Sequence, residues 1–143
     1  METKFSGHSV YRTQYHLVWI AKYRRRIFKN PGLKNAMVKL LYKIAKSMPG
    51  VEIIEQNVQP DHVHMMVEIP PRYAIAEVVQ GFKGASSYHL RKHVKWIRKV
   101  FGKKNKMWSN GYFVSTLGID EDVVQKYIKY QQDLDSGQAK LDL

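Results

Sequence analysis

The chain has 143 residues, with 24 lysines and arginines against 12 acidic residues, a formal charge of +12, and no cysteine. That length suits one domain burying about two-thirds of its unfolded surface; the missing thiols exclude a disulfide framework, a thiolate zinc site and a cysteine nucleophile, and suit a cytoplasmic protein. No run approaches the roughly 18 apolar residues of a membrane span, no targeting segment or long basic amphipathic helix is seen, and the charge excess therefore points to nucleic acid as the polyanionic partner.

In chain order, Ser9 to Ile20 is rich in β-branched and aromatic residues and predicts a first strand. A basic run from Lys22 to Arg26 follows, with Tyr23 inside it. Asn30-Pro31-Gly32 opens a helix, Asn30 as N-cap and Pro31 at the first position. Ala36, Met37, Leu40, Leu41, Ile44 and Ala45 then recur at helical spacing to about Ser47, before Pro49-Gly50. Val51 to Val58 predicts a second strand, and the turn Gln59-Pro60-Asp61 makes it a hairpin with the next.

That third strand is the most informative stretch. In Asp61-His62-Val63-His64-Met65-Met66-Val67-Glu68-Ile69, strand alternation puts His62, His64, Met66 and Glu68 on one face, left free for chemistry, and Val63, Met65, Val67 and Ile69 on the core side. Imidazoles on alternate strand positions sit about 6.5 to 7 Å apart at Cα, near enough to converge on one divalent ion or one phosphate. Two histidines also occur on ordinary solvent faces, and a metal site needs a third ligand from elsewhere in the chain.

A second helix is predicted from about Ala74 to Val94, with Ile75, Val78, Val79 and Phe82 buried and Gly81 and Gly84 weakening its middle. Residues 95–110 read as basic and irregular, Gly111 to Leu117 as a further strand, and Gly118 as a breaker. The last helix starts at Asp120, whose carboxylate caps it, and ends near Gln132; a polar tail runs from about Asp133. The order β, α, β, β, α, β, α predicts an α+β, ferredoxin-like (RRM-like) fold, four antiparallel strands backed by two helices, with one extra C-terminal helix. That arrangement alone does not fix a function.

On the last helix Val123, Val124, Tyr127, Tyr130 and Gln131 fall in one arc, and Tyr127 and Gln131, four apart, are neighbours one turn apart. A phenol and an amide there reach one point in space; the same tyrosines also suit plain packing. The basic runs at Lys22–Arg26, Arg91–Lys99 and Lys103–Lys106 each have Tyr or Trp nearby, the combination that pairs phosphates and stacks bases of single strands. Arg24, Arg25, Arg26, Lys83, Lys103, Lys104 and Lys106 are the candidate DNA contacts.

Pro60-Asp61-His62-Val63-His64 with Val67-Glu68-Ile69-Pro70, Lys83-Gly84-Ala85-Ser86-Ser87, Trp108-Ser109-Asn110-Gly111-Tyr112-Phe113, and Tyr127-Ile128-Lys129-Tyr130-Gln131 together resemble the single-tyrosine HUH transposases, the TnpA-like enzymes of the smallest bacterial and archaeal insertion sequences. The resemblance runs from about residue 9 to 132, within a single catalytic domain spanning 1–143. It implies Tyr127 as nucleophile, His62, His64 and Gln131 as ligands of Mg²⁺ or Mn²⁺, and cleavage and rejoining of single-stranded DNA through a 5′-phosphotyrosine bond. It further implies recognition of subterminal hairpins, and a homodimer in which the histidines of one subunit serve the tyrosine helix of the other; Gly118, just before that helix, suits a hinge and equally a simple strand terminator. Metal and basic surface are expected to help deprotonate Tyr127. Two alternatives stand beside this: a domesticated or replication-initiating single-strand endonuclease, and a non-catalytic nucleic-acid-binding module of the same fold.

Overall fold

The computed structural model describes residues 3–6, 9–102 and 107–137. Its elements are β1 (Lys4–Ser6), β2 (Ser9–Tyr11), β3 (Gln14–Ile20), α1 (Pro31–Lys46), β4 (Glu52–Val58), β5 (His62–Glu68), α2 (Ile75–His93), α3 (Lys95–Phe101), β6 (Phe113–Ser115) and α4 (Glu121–Asp135), with 3₁₀ turns at Lys22–Arg24 and Ile27–Lys29. The main sheet has the order β4-β5-β3-β6 and is antiparallel throughout, the ferredoxin-like arrangement expected. Among the described residues no helix is long and apolar enough to cross a membrane.

The predicted first strand is in fact two. Ser9–Tyr11 pairs back on Lys4–Ser6 in a separate two-stranded sheet, and only Gln14–Ile20 enters the main one. Thr13 makes the break: its N–H donates to Glu68 Oε1 (3.3 Å), and its hydroxyl donates to the Ile69 carbonyl. The Thr13 carbonyl also accepts from Ile69 N–H at 2.9 Å, so Thr13 closes the end of the β3–β5 ladder and the chain before it pairs elsewhere.

On one face of the sheet α1 and α2 build the main core. Met37, Leu41 and Ile44 of α1 and Val78, Val79 and Phe82 of α2 meet Leu17, Trp19, Val63, Met65 and Val67. The Asn30 side chain accepts from Leu33 N–H at 3.0 Å, so α1 begins where its cap and Pro31 predict. Ala36, expected on the buried stripe, is exposed. Helix α2 is unbroken through both glycines. A Cβ at Gly81 would stand 2.9 Å from Met48 Sδ, so the glycine there admits a close neighbour, whereas at Gly84 it would meet open space.

Three expectations need correction. Residues 95–110 are not irregular throughout, because Ile97 and Phe101 are buried and fold Lys95–Phe101 into α3. The last strand is only Phe113–Ser115: Gly111 has a φ of 110°, and the carbonyls of Ser109 and Gly111 accept from the Lys83 ammonium, which takes that segment out of the ladder. The last helix runs on to Asp135, whose carboxylate accepts from Ser109 Oγ and from Tyr23 N–H.

Helix α4 lies on the other face of the sheet, where Val124 and Ile128 pack against Val18 and Ile20. Its buried stripe is Val124, Ile128 and Gln131, spaced four and three residues, so the expected arc is rotated: Tyr127 is half-buried beside it and Tyr130 faces solvent at 50% exposure. Ile128 is fully buried, and Ile128→Ala should lower unfolding free energy by about 2–5 kcal/mol in urea titration. A loss below about 1 kcal/mol would contradict this seating of α4.

Candidate active site

The two histidines of β5 lie on the face that α4 covers. Val18 is paired with His64 and Ile20 with His62 across the β3–β5 ladder, and directly opposed residues share a face. Since Val18 and Ile20 are the residues under Val124 and Ile128, the tyrosine helix is seated on β3, the strand next to the histidine strand, on the face that His62 and His64 share. The expectation of a free polar face is corrected accordingly. His62 and Glu68 are buried and His64 half-buried, with Glu68 given over to Thr13 at the far end of the strand.

Asp61 and Arg24 organise His62. The imidazole Nδ1 is 2.7 Å from Asp61 Oδ1, and because a carboxylate only accepts, Nδ1 carries a proton, so that in the neutral ring the lone pair lies on Nε2. Asp61 Oδ2 accepts from Arg24 Nε at 2.8 Å. Burial alone would raise the Asp61 carboxyl; hydrogen bonds from His62 and Arg24, and their charge, outweigh it and hold it at about 2. Arg24 also donates to Gln132 and Gln125 of α4, each at 3.3 Å, so one guanidinium joins the histidine strand to the tyrosine helix. To reach both, Tyr23 and Arg24 adopt left-handed φ values of 60° and 54°, a conformation that costs about 1–3 kcal/mol per non-glycine residue.

His64 has a neighbour that sequence reasoning missed. His16 Nδ1 lies 3.4 Å from His64 Nε2, with the rings 5.6 Å apart. Burial first, then the charges of His16 and His62, push the His64 pKa down against the opposing pull of Glu121 and Glu55. The neutral ring, the form that ligates a metal, is therefore favoured. The signal for His16 was present: it occupies an alternate position with Val18 and Ile20 on the first strand of a fold that places that strand beside the third.

On α4 the Tyr127 hydroxyl donates to Gln131 Oε1 at 3.4 Å, while Gln131 Nε2 donates to Asp135 Oδ1 at 3.4 Å. The amide is thus oriented with its carbonyl towards the phenol. Tyr127 packs on Phe113, ring centroids 5.8 Å apart, and Gln131 Oε1 sits against Gly111, where a Cβ would stand 3.1 Å away. Burial, then the Asp135 carboxylate and Tyr130, raise the Tyr127 phenol above its ordinary value. The expected help from a basic surface is thus corrected, since the charge that acts most on the phenol, Asp135, is negative.

The structure brings Tyr127 and Gln131 together and sets His62 and His64 on the sheet beneath α4; among the described residues no hydrogen bond joins the two pairs. Nor do three His, Asp or Glu side chains converge on one point there. Of the candidate DNA contacts, Arg24 and Lys83 are engaged within the fold, Lys83 with the carbonyls of Ser109 (2.7 Å) and Gly111 (2.9 Å). Arg25 and Arg26 are exposed, Arg25 lying over the Tyr23 and Phe101 rings. Lys103, Lys104 and Lys106 lie outside the described residues.

Comparison with known proteins gives one consistent answer. Residues 9–131 match the family model described as Transposase IS200 like. The chain is 31% identical over 134 residues to the transposase for insertion sequence element IS200 of Salmonella typhimurium, covering 94% of this chain and 86% of that one. It is 32% identical over 137 residues to the ISDra2 transposase TnpA of Deinococcus radiodurans, covering 93% and 94%. The crystal structure of a candidate transposase from Deinococcus radiodurans R1 superposes with a TM-score of 0.77 at 28% identity, over 90% of this chain and 97% of that one. A REP-associated tyrosine transposase bound to a REP hairpin shares the fold, with a TM-score of 0.54 at 13% identity over 96% and 76%.

Asp61 gives a stability signature. Its pKa in the fold, about 2, lies below its ordinary 3.8, so its contribution is complete above that value and is lost as pH falls towards 2. The amount is on the order of 2 kcal/mol. In EDTA-treated protein, unfolding free energies measured at pH 5 and pH 2.5 should fall more for the native chain than for Asp61→Asn. Equal losses in both would contradict the assignment.

Proposed function

Because this chain belongs to the IS200-like transposase family, we propose that it cleaves and rejoins single-stranded DNA at insertion-sequence ends through a covalent 5′-phosphotyrosine bond at Tyr127, with subterminal hairpins as recognition targets. The observation that carries the reading is the Tyr127–Gln131 pair on a helix seated against β3, on the same sheet face as the two histidines of the neighbouring strand. The excess of 12 positive charges supports a nucleic-acid partner. Hairpin recognition draws on the distant structural relative that was solved with a REP hairpin.

The residues suit a divalent ion, Mg²⁺ or Mn²⁺: Asp61 fixes the His62 tautomer whose lone pair is on Nε2, burial favours neutral His64, and Asp135 turns the Gln131 carbonyl towards Tyr127. Imidazole nitrogen with an amide oxygen is a donor set for Mn²⁺ and, with added water, Mg²⁺. When bound, the ion supplies polarisation of the scissile phosphate and stabilises the negative charge of the phenolate.

Tyr127 acts by transesterification. Its oxygen forms a bond to phosphorus, the bond from phosphorus to the 3′ oxygen breaks, the phenol proton is lost, and the 3′ oxygen leaves as a hydroxyl. Because the phosphodiester energy is kept in the protein–DNA bond, another 3′-hydroxyl can attack it and release Tyr127, rejoining strands without ATP. In the arrangement seen no hydrogen bond among the described residues joins Tyr127 or Gln131 to His62 or His64, and burial and Asp135 favour the protonated phenol, so this seat of α4 serves as a resting position. The active unit in this reading is a homodimer in which α4 leaves its own sheet for the histidines of the partner. Gly118, in the loop before α4, is a position where a Cβ would meet no atom within 4 Å.

Two experiments test these parts. With Mg²⁺ or Mn²⁺ and single strands copied from the DNA flanking the gene, denaturing gels should show a covalent protein–DNA band that EDTA, His62→Ala and His64→Ala each abolish. Asp61→Asn should weaken metal affinity by about 10–100-fold. Full adduct formation in EDTA would overturn the metal assignment.

For the shared site, Tyr127→Phe subunits are mixed with His64→Ala subunits under conditions of verified exchange. Cleavage should return, with DNA attached only to the His64→Ala chain. Continued inactivity would place both halves of the site in one chain.

A further inference from the structure

Two segments that carry the family resemblance, Lys83 to Ser87 and Trp108 to Gly111, take no part in the chemistry above. The fold brings them together as walls of one cavity of about 580 Å³ between α2 and the strand-like segment before β6. A second cavity of about 370 Å³ adjoins it, the two sharing Tyr88 and Arg91, and the second also lined by Lys92 and Arg98. Among the described residues no acidic side chain lines either one.

We propose that the larger cavity is a pocket for a single unstacked base of the DNA strand, and that the Arg91, Lys92 and Arg98 side of the groove carries the phosphates flanking it. This rests on the reading of the chain as a single-strand transposase. The floor is rigid and aromatic: Trp108 Nε1 donates to Ser86 Oγ at 3.0 Å, and its ring packs on Phe28 and Trp19. At the rim Tyr88 is 61% exposed, with the Lys92 ammonium 5.7 Å from its ring centroid. An exposed ring beside cations is the combination on which bases of a single strand stack. Gln80 and Asn110 are among the lining residues, and an amide side chain offers both a donor and an acceptor to a base edge. The volume falls in the range of roughly 300–1,000 Å³ usual for small-ligand sites.

The pocket also has a direct mechanical link to the reacting groups. Its Ser109–Gly111 wall is held on one side by Lys83, whose ammonium donates to both carbonyls. On the other side Ser109 Oγ donates to Asp135, and Gly111 abuts Gln131 Oε1. A base in the pocket is therefore separated from the Tyr127–Gln131 pair by one thickness of backbone. An occupied pocket bears on the wall against which Gln131 is set in the resting seat of α4.

Gly84 offers a clean test. It lines the pocket, and a Cβ there meets no atom within 4 Å, so Gly84→Leu fills the cavity from a helix position where leucine is the better helix former. Its melting temperature should hold or rise. The probe is a single strand copied from the DNA flanking the gene, hairpin plus unpaired arm, with 2-aminopurine placed at each arm position in turn. Binding is followed in a Tyr127→Phe background so that no cleavage intervenes. One position should lose emission severalfold on binding through stacking. Gly84→Leu should abolish that loss and weaken affinity for the armed strand roughly tenfold or more, the scale of one stacked base, with affinity for the bare hairpin unchanged.

Unchanged quenching and affinity in folded Gly84→Leu would overturn the pocket, as would the absence of any quenched position with the glycine in place. Adduct formation on the same strand, scored separately with Tyr127 intact, keeps the two readings apart. An adduct with no effect of Gly84→Leu refutes only the pocket, and pocket-dependent binding with no adduct refutes only the phosphotyrosine chemistry.

Discussion

The contact on which the site depends is apolar and small: Val124 and Ile128 of α4 resting on Val18 and Ile20 of β3. β3 is a central strand buried on both faces, with Leu17 and Trp19 turned into the main core and Val18 and Ile20 turned away from it. Strand alternation thus gives β3 two jobs. One set of side chains holds the sheet to α1 and α2; the other makes an apolar landing for a helix on the face where His62 and His64 stand. Without that landing the tyrosine and the histidines would belong to unrelated parts of the surface.

Polar groups then set the orientation that apolar packing leaves open. Arg24 bridges Asp61 to Gln125 and Gln132, and Asp135 accepts from Tyr23 and Ser109, so α4 is tied at several points to the turn after β3 and to the wall before β6. Hydrogen bonds of this kind add modest net stability but are costly to leave half-made, which favours one register of the helix over its neighbours. The left-handed backbone at Tyr23 and Arg24 shows that the turn is shaped by these contacts and not by local preference. An arginine that looked like a phosphate contact is, in this arrangement, the clasp of the site.

Much of this was legible in the sequence because periodicity and punctuation are local. The Asn30-Pro31 start of α1, the alternation of β5, the Asp120 cap of α4 and the β-α-β-β-α-β order all follow from residues within a few positions of each other, and the sheet order follows from the resulting topology. What escaped is long-range. Thr13 interrupts a strand-like run by bonding to residues 55 and 56 positions away. Lys83 leaves the basic surface because two carbonyls across the fold accept from it. Tyr130 drops out of the buried arc because the true stripe runs through Ile128. The pairing of His16 with His64 requires knowing which strands are neighbours.

The central claim is that Tyr127, and not the adjacent Tyr130, forms the bond to DNA. Trypsin separates the two, since Lys126 and Lys129 bracket a peptide that contains Tyr127 alone. The covalent complex, digested with trypsin and nuclease and read by tandem mass spectrometry, should carry a nucleotide linked through its 5′ phosphate on Tyr127. A nucleotide on Tyr130 or any other residue, or one joined through its 3′ phosphate, would contradict the account.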